Sequence, residues 1–172
     1  MTDVRQIEGA SFAAHVPALA EILVDAVDGG ASVGFVWPFT VADARTWWST
    51  LEPEIAAGRI VLLGAFQDGA LVGTVQLRLA AYPNARHRAE VAKLLVHRRA
   101  RGQGVARALM ARIEDDARAL GRTLLLLDTL TGSDAEQLYR ALGYQCTGVI
   151  PGHAALPDGR LMSTTLFWRA TG

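Results

Sequence analysis

A single cysteine, Cys146, stands in 172 residues, so no disulfide can close within the chain. One cysteine suits a reducing compartment. In the strand YQCTG, with no histidine close by in sequence, Cys146 reads as a small buried hydrophobe rather than a nucleophile. The histidines (His15, His87, His97, His153) have no metal-ligand spacing, so no metal is expected. Charge of one sign is also lacking: 17 basic residues face 17 acidic ones. That balance selects neither nucleic acid nor an acidic membrane surface as a partner. The opening MTDVRQIEGA has no basic-then-apolar leader. No apolar run approaches the roughly 20 residues a membrane span requires. The expectation is a cytoplasmic protein, a monomer or homodimer, without nucleic-acid or membrane partners.

The composition is half apolar and one-fifth charged, enough for a core in one domain over residues 1–172. Apolar Val16, Leu19, Leu23 and Val27 recur at helical spacing within a helix from about Ala13 to Val27. A Gly-rich, aromatic loop (DGGASVGFVWPF) follows, then one helix from about Val41 to Ala57. The runs 59–66 and 70–80 read as strands of a hairpin closed at QDG. EVAKLLV (90–96) is a third strand, whose alternation places Glu90, Ala92, Leu94 and Val96 on one face. A helix ending near Leu120 and the buried strand TLLLLD (123–128) follow. This β–loop–helix–β unit demands a right-handed crossover between parallel strands. Antiparallel strands surround it, so the class is α+β with a mixed sheet.

Between strand and helix lies RRARGQGVARALM (98–110). The pair Gly102 and Gly104 permits three readings. It can be a turn before a helix start. It can be a dinucleotide loop, although Arg107 occupies the third glycine position and five residues separate Val96 from Gly102. It can be an anion cradle, with the N–H groups of Arg101–Ala106 at a helix N-terminus and glycines that let phosphate approach.

RARGQG (99–104), between the strand KLLV and the helix ARALM, resembles the Arg/Gln-x-x-Gly-x-Gly/Ala motif of the GNAT superfamily of acetyl-CoA-dependent N-acetyltransferases. AEQLYRALGY (135–144) resembles that family's second motif. The resemblance implies the GNAT fold: six to seven mostly antiparallel strands, two splayed central parallel strands and about four helices. It implies acetyl-CoA as co-substrate, its pantetheine along Leu94, Leu95 and Val96, and an oxyanion donor among those N–H groups. The pyrophosphate would meet Arg99, Arg101, Gly102, Gln103, Gly104, Val105 and Ala106. Gly132 replaces the family's frequent asparagine, leaving Ser133 as the side chain for cofactor contact there. Tyr139 would lie beside the thioester sulfur and protonate the departing thiolate; alternatively it is a packed helix tyrosine. Asp128 and Glu90 would supply the base, with Asp128 ahead; alternatively they are a turn cap and a solvated strand end. Phe35, Trp37 and Phe39 would line the acceptor pocket, and of the adjacent Trp47 and Trp48 at most one can face the core. Segments such as LLLLDTLTGSDAEQLY and LPDGRLMSTTLF are similar to the family's tabtoxin-resistance branch, which implies a small-molecule amine, amino-acid-like, as acceptor. Rival readings are a protein N-terminal or lysine acetyltransferase, or a non-catalytic CoA-binding module.

Overall fold

The computed structural model describes residues 2–171. Seven strands form one sheet: β1 (Asp3–Gln6), β2 (Ile60–Gln67), β3 (Ala70–Leu79), β4 (Arg88–Val96), β5 (Leu124–Leu130), β6 (Gln145–Ala155) and β7 (Leu161–Ala170). Their order across the sheet is β1-β2-β3-β4-β5-β7-β6. Only β4 and β5 are parallel; every other neighbouring pair is antiparallel. In the β2–β3 turn, Asp68 and Gly69 both take positive φ (49° and 80°). That is the backbone of a two-residue turn whose twist matches the flanking strands.

Four helices of eight or more residues accompany the sheet: α1 (Gly9–Asp28), α2 (Val41–Ser49), α4 (Val105–Ala119) and α5 (Asp134–Ala141). The single helix expected over 41–57 is two, because α2 ends at Ser49 and a one-turn helix, α3 (Glu52–Ala56), follows. Pro53 explains the break: it has no N–H to continue the i→i−4 ladder from Ser49. At the start of α2, Thr40 Oγ1 accepts from Asp43 N–H (3.2 Å) and the Asp43 carboxylate accepts from Thr40 N–H (2.8 Å). This reciprocal cap satisfies two orphan donors.

The sheet separates two cores. On one face α1 and α2 bury Phe12, Leu19, Leu23 and Trp48 against Leu62 and Phe66. On the other, α4 buries Leu109, Met110 and Ile113 against Val75, Leu77 and Val91. Each such side chain contributes about 1.5–3 kcal/mol by leaving water. Helix α1 is, contrary to the run-length expectation, long and apolar enough to cross a membrane by length and composition. In the fold its Phe12, Leu19, Ala20, Leu23 and Val27 are covered by the sheet and α2. Trp48 is fully buried and donates its Nε1–H to Leu19 O (3.1 Å), while its neighbour Trp47 is only partly covered. Cys146 is exposed, not buried as expected. It lies on β6, the last strand of the sheet, most of whose residues face solvent.

Candidate active site

Strands β4 and β5 pair only from Arg88↔Leu124 to Glu90↔Leu126. Beyond Glu90 the β5-facing edge of β4 has no strand partner among the described residues, and the two strands part. The gap continues into a cleft of about 650 Å³. Its wall runs from Arg101 and Ala106 along Leu94, Leu95 and Val96 to Glu90, Asp128 and Tyr139. Ser133 also lines it.

Inside β4 the expected alternation fails. The register of β3 against β4 slips between Thr74↔Leu95 and Gln76↔Ala92, so β4 carries one extra residue. Lys93 sits in this bulge with φ +51°. The slip exchanges faces. Ala89 and Val91 pack on the α4 side, whereas Leu95 packs on the α1 side and Leu94 and Val96 turn toward α4. Glu90 and Leu94 therefore face opposite ways, and the expectation that Glu90, Ala92, Leu94 and Val96 share a face is corrected.

At one end of the cleft the glycine loop enters α4. Gly102 and Gly104 have φ of 73° and 78°, a left-handed region that glycine occupies without strain. A Cβ at either position would meet no protein atom within 4 Å, so the space above the loop is open. Gly104 caps α4 without any side-chain hydrogen bond. The N–H groups of Gly102, Gly104, Val105 and Ala106 have no partner among the described residues. Free donors, open space and the positive end of the helix dipole together fit an anion such as pyrophosphate. Gln103 holds the loop instead of reaching across it: its amide donates to Arg99 O (3.0 Å) and its Oε1 accepts from Gln67 (3.1 Å). Arg99 donates to Leu71 O (3.4 Å), and Arg101 donates through Nε to Val96 O (3.0 Å).

The loop has an anchor that sequence reading missed. Asp25, on α1, is 9% exposed. Its carboxylate accepts from the Arg98 main-chain N–H (2.9 Å), pairs with the Arg98 guanidinium and stands 3.5 Å from Arg101 Nη2. Burial alone raises the Asp25 carboxyl, but the two Arg98 hydrogen bonds and the charges of His97 and Arg98 more than offset it. Its pKa therefore lies below the ordinary carboxylate value.

At the other end, Glu90 and Asp128 flank the point where the strands part. Leu125 and Leu127 are buried on the α4 side, so alternation turns Asp128 to the opposite face, which Glu90 shares. Neither forms an ion pair with a described residue. The Tyr139 ring is buried, edge-on to Tyr144 (5.7 Å between centroids) and tilted against Phe167 (6.2 Å). Its hydroxyl has no hydrogen-bond partner among the described residues. Burial first, and then the Asp128 charge, hold that phenol well above its ordinary pKa, so it keeps its proton at neutral pH. Ser133 caps α5, its Oγ accepting from Glu136 N–H (3.2 Å).

The loop after α1 lies over the cleft through Gly29–Gly34. The three aromatics expected to line it stand elsewhere. Phe35 and Phe39 stack on each other (4.3 Å) and Phe35 meets Trp47 edge-on, one layer behind the wall. Trp37 is half exposed and its main-chain N–H donates to Pro157 O (2.9 Å). The wall residue in front of them is Lys93, whose Nζ donates to Val33 O (2.8 Å) and stands 5.7 Å and 5.3 Å from the Phe35 and Trp47 rings. Among the described residues no group of three His, Cys, Asp or Glu could hold a metal ion.

The N-acetyltransferase of Staphylococcus aureus superposes with a TM-score of 0.81 at 17% identity, covering 100% of this chain and 99% of that one. The ribosomal-protein-alanine N-acetyltransferase of Brucella melitensis gives 0.80 at 25% identity over 98% and 99%. A phosphinothricin acetyltransferase from Sinorhizobium meliloti, solved in complex with acetyl-CoA, gives 0.80 at 22% over 99% and 89%. The sequence model of the acetyltransferase (GNAT) family matches residues 17–144. With that match, and with a splayed β4–β5 pair leading from an anion cradle to two carboxylates and a protonated tyrosine, the chain belongs to the acetyltransferase (GNAT) family and is an acetyl-CoA-dependent acyltransferase.

Proposed function

We propose that the protein acetylates a primary amine of a small polar acceptor by direct attack, with acetyl-CoA and acceptor bound together. The observation that carries this reading is the continuity of one cleft. It starts at unpartnered N–H groups suited to pyrophosphate and ends between Glu90, Asp128 and Tyr139. Pantetheine would lie along the unpaired edge of β4, where its amides can hydrogen-bond as an added strand.

Asp128, with Glu90 beside it directly or through a water, takes the proton from the acceptor ammonium, which would otherwise be non-nucleophilic below about pH 10. The amine nitrogen then bonds to the acetyl carbon. A main-chain N–H of residues 94–96 receives the developing oxyanion. The C–S bond breaks, and Tyr139 gives its proton to the thiolate sulfur. Nitrogen gives up two protons in all: the first passes through the carboxylate to solvent, and the second, lost as the tetrahedral adduct collapses, restores the Tyr139 phenol, so charge and atoms balance with one proton released per acetyl transfer.

The acceptor class that agrees with the roofed cleft is a compact amine, and amino-acid-like antimetabolites of the tabtoxin or phosphinothricin kind are its first members to screen. A protein N-terminus is the second reading, favoured by the 25% identity to the Brucella enzyme. Thiol release from acetyl-CoA across a panel of small amines, tabtoxinine-like β-lactam amino acids and N-terminal peptides decides between them. Turnover of peptides alone would defeat the small-acceptor reading.

A further inference from the structure

The chain contains one lysine, Lys93, against sixteen arginines. That lysine lines the cleft at its acceptor end. It occupies the β4 bulge with a left-handed φ that a non-glycine residue adopts at a cost. Such bulges re-aim a side chain. An ammonium has three donors; one is spent on Val33 O, and no other described residue accepts from it. The Phe35 and Trp47 faces stabilise its charge from behind, leaving the remaining donors for the cleft.

A second cation lines the same end. Arg78 is the cross-strand partner of Glu90. Its Nε donates to Gln76 Oε1 (3.1 Å), and Gln76 is fully buried. This bond fixes the amide orientation, since the reverse assignment would set two donors together. It also fixes the guanidinium, whose terminal nitrogens have no partner among the described residues. The acceptor end therefore carries Lys93 and Arg78 together with Glu90 and Asp128. An acceptor bearing only a cationic amine would meet two like charges. An acceptor bearing an acidic group as well as the amine satisfies all four residues.

Resting on the reading of amine acetylation above, we infer that Lys93 and Arg78 form an anion-binding subsite that selects acceptors carrying a carboxylate near the reacting amine, as in an amino acid. Lys93 is thereby a specificity-determining residue. The depressed pKa of Lys93 itself, caused by desolvation and then by Arg78 and resisted by Asp128 and Glu90, agrees with two cations crowded at one end of the cleft.

The test uses matched acceptors with the intact enzyme: l-amino acids, their carboxamides and the corresponding decarboxylated amines, each assayed by thiol release. The wild-type enzyme should favour the acid over its amide by about 10- to 100-fold in kcat/KM, the range for a hydrogen bond to a charged group. Lys93→Met and Arg78→Gln should each collapse that ratio, mainly through KM for the acid, while turnover of the amide and the KM for acetyl-CoA change little. Lys93→Arg should restore part of the preference. Equal use of acid, amide and decarboxylated amine by the wild type would overturn the inference without any variant. So would an equal loss on acid and amide in Lys93→Met. Turnover of amines without acid preference refutes only the subsite; failure of every amine to release thiol refutes the amine-acetylation reading and the subsite with it.

Discussion

Replacing Tyr139 by phenylalanine separates the hydroxyl proposed as general acid from the structural ring. The ring is 6% exposed and touches Tyr144 and Phe167, and Tyr139→Phe keeps every one of those contacts. The hydroxyl has no hydrogen-bond partner among the described residues. Deleting a hydroxyl that opens to the cleft and has no protein partner is close to neutral, because no hydrogen bond within the fold is lost. We expect a stability change within about 0.5 kcal/mol, a Tm shift of roughly 2 °C at most for a chain of this size. Catalysis should respond in the opposite manner. Loss of a positioned general acid lowers kcat by about 10²–10⁴-fold, equivalent to about 2.7–5.4 kcal/mol in the barrier. Because burial and Asp128 hold the phenol above its ordinary pKa, the wild type should show no alkaline loss of rate from tyrosine ionisation below pH 10. The assay is thiol release at saturating acetyl-CoA and acceptor, beside thermal unfolding of both proteins. An unchanged kcat in Tyr139→Phe, or a Tm several degrees lower, would refute the reasoning.

Two further substitutions test the cradle. Asp25→Asn removes the charge that pairs with Arg98 and Arg101; stability should fall by about 1–3 kcal/mol and KM for acetyl-CoA should rise. The Asp25 pKa is depressed in the folded state, so its contribution is complete above the unfolded value of 3.8 and disappears as pH falls through the lower folded value. The gap between wild type and Asp25→Asn in thermal unfolding should therefore close on acidification below about pH 4 and stay constant above it. Gly104→Ala forces a Cβ residue into φ +78°, which costs about 1–2 kcal/mol, and sets a methyl group in the open space above the loop. Calorimetric titration should then show acetyl-CoA binding weakened by about tenfold or more.

The cradle and the parted strands were legible because their signals are local. Gly102 and Gly104 follow a strand and open a helix within a few residues, and the β–loop–helix–β order demands a parallel pair. Lys93 was not legible from pattern, since EVAKLLV reads as regular alternation and the bulge exists only in the register of β4 against β3. Its signal lay in composition, as the one lysine of the chain. Asp25 resembled any polar residue on an amphipathic helix; its partner Arg98 lies 73 positions away. The aromatics of the loop were recognised as a cluster, yet whether they form the cleft wall or the layer behind it depends on where Trp47 and Lys93 stand in three dimensions. Pro53 is a helix breaker by residue type, yet the single helix expected over 41–57 passed over it. Cys146 turned on strand order: nothing in YQCTG tells an outer strand from an inner one.

The central claim is that the carboxylates where β4 and β5 part remove the proton from the acceptor amine. Its most direct measurement is kcat for Asp128→Asn, Glu90→Gln and the double variant at saturating substrates, with acetyl-CoA affinity measured in parallel. The account predicts a loss of about 10²–10⁴-fold in kcat for the double variant, larger for Asp128→Asn than for Glu90→Gln, with acetyl-CoA affinity preserved. A kcat unchanged in both single variants and in the double would contradict it.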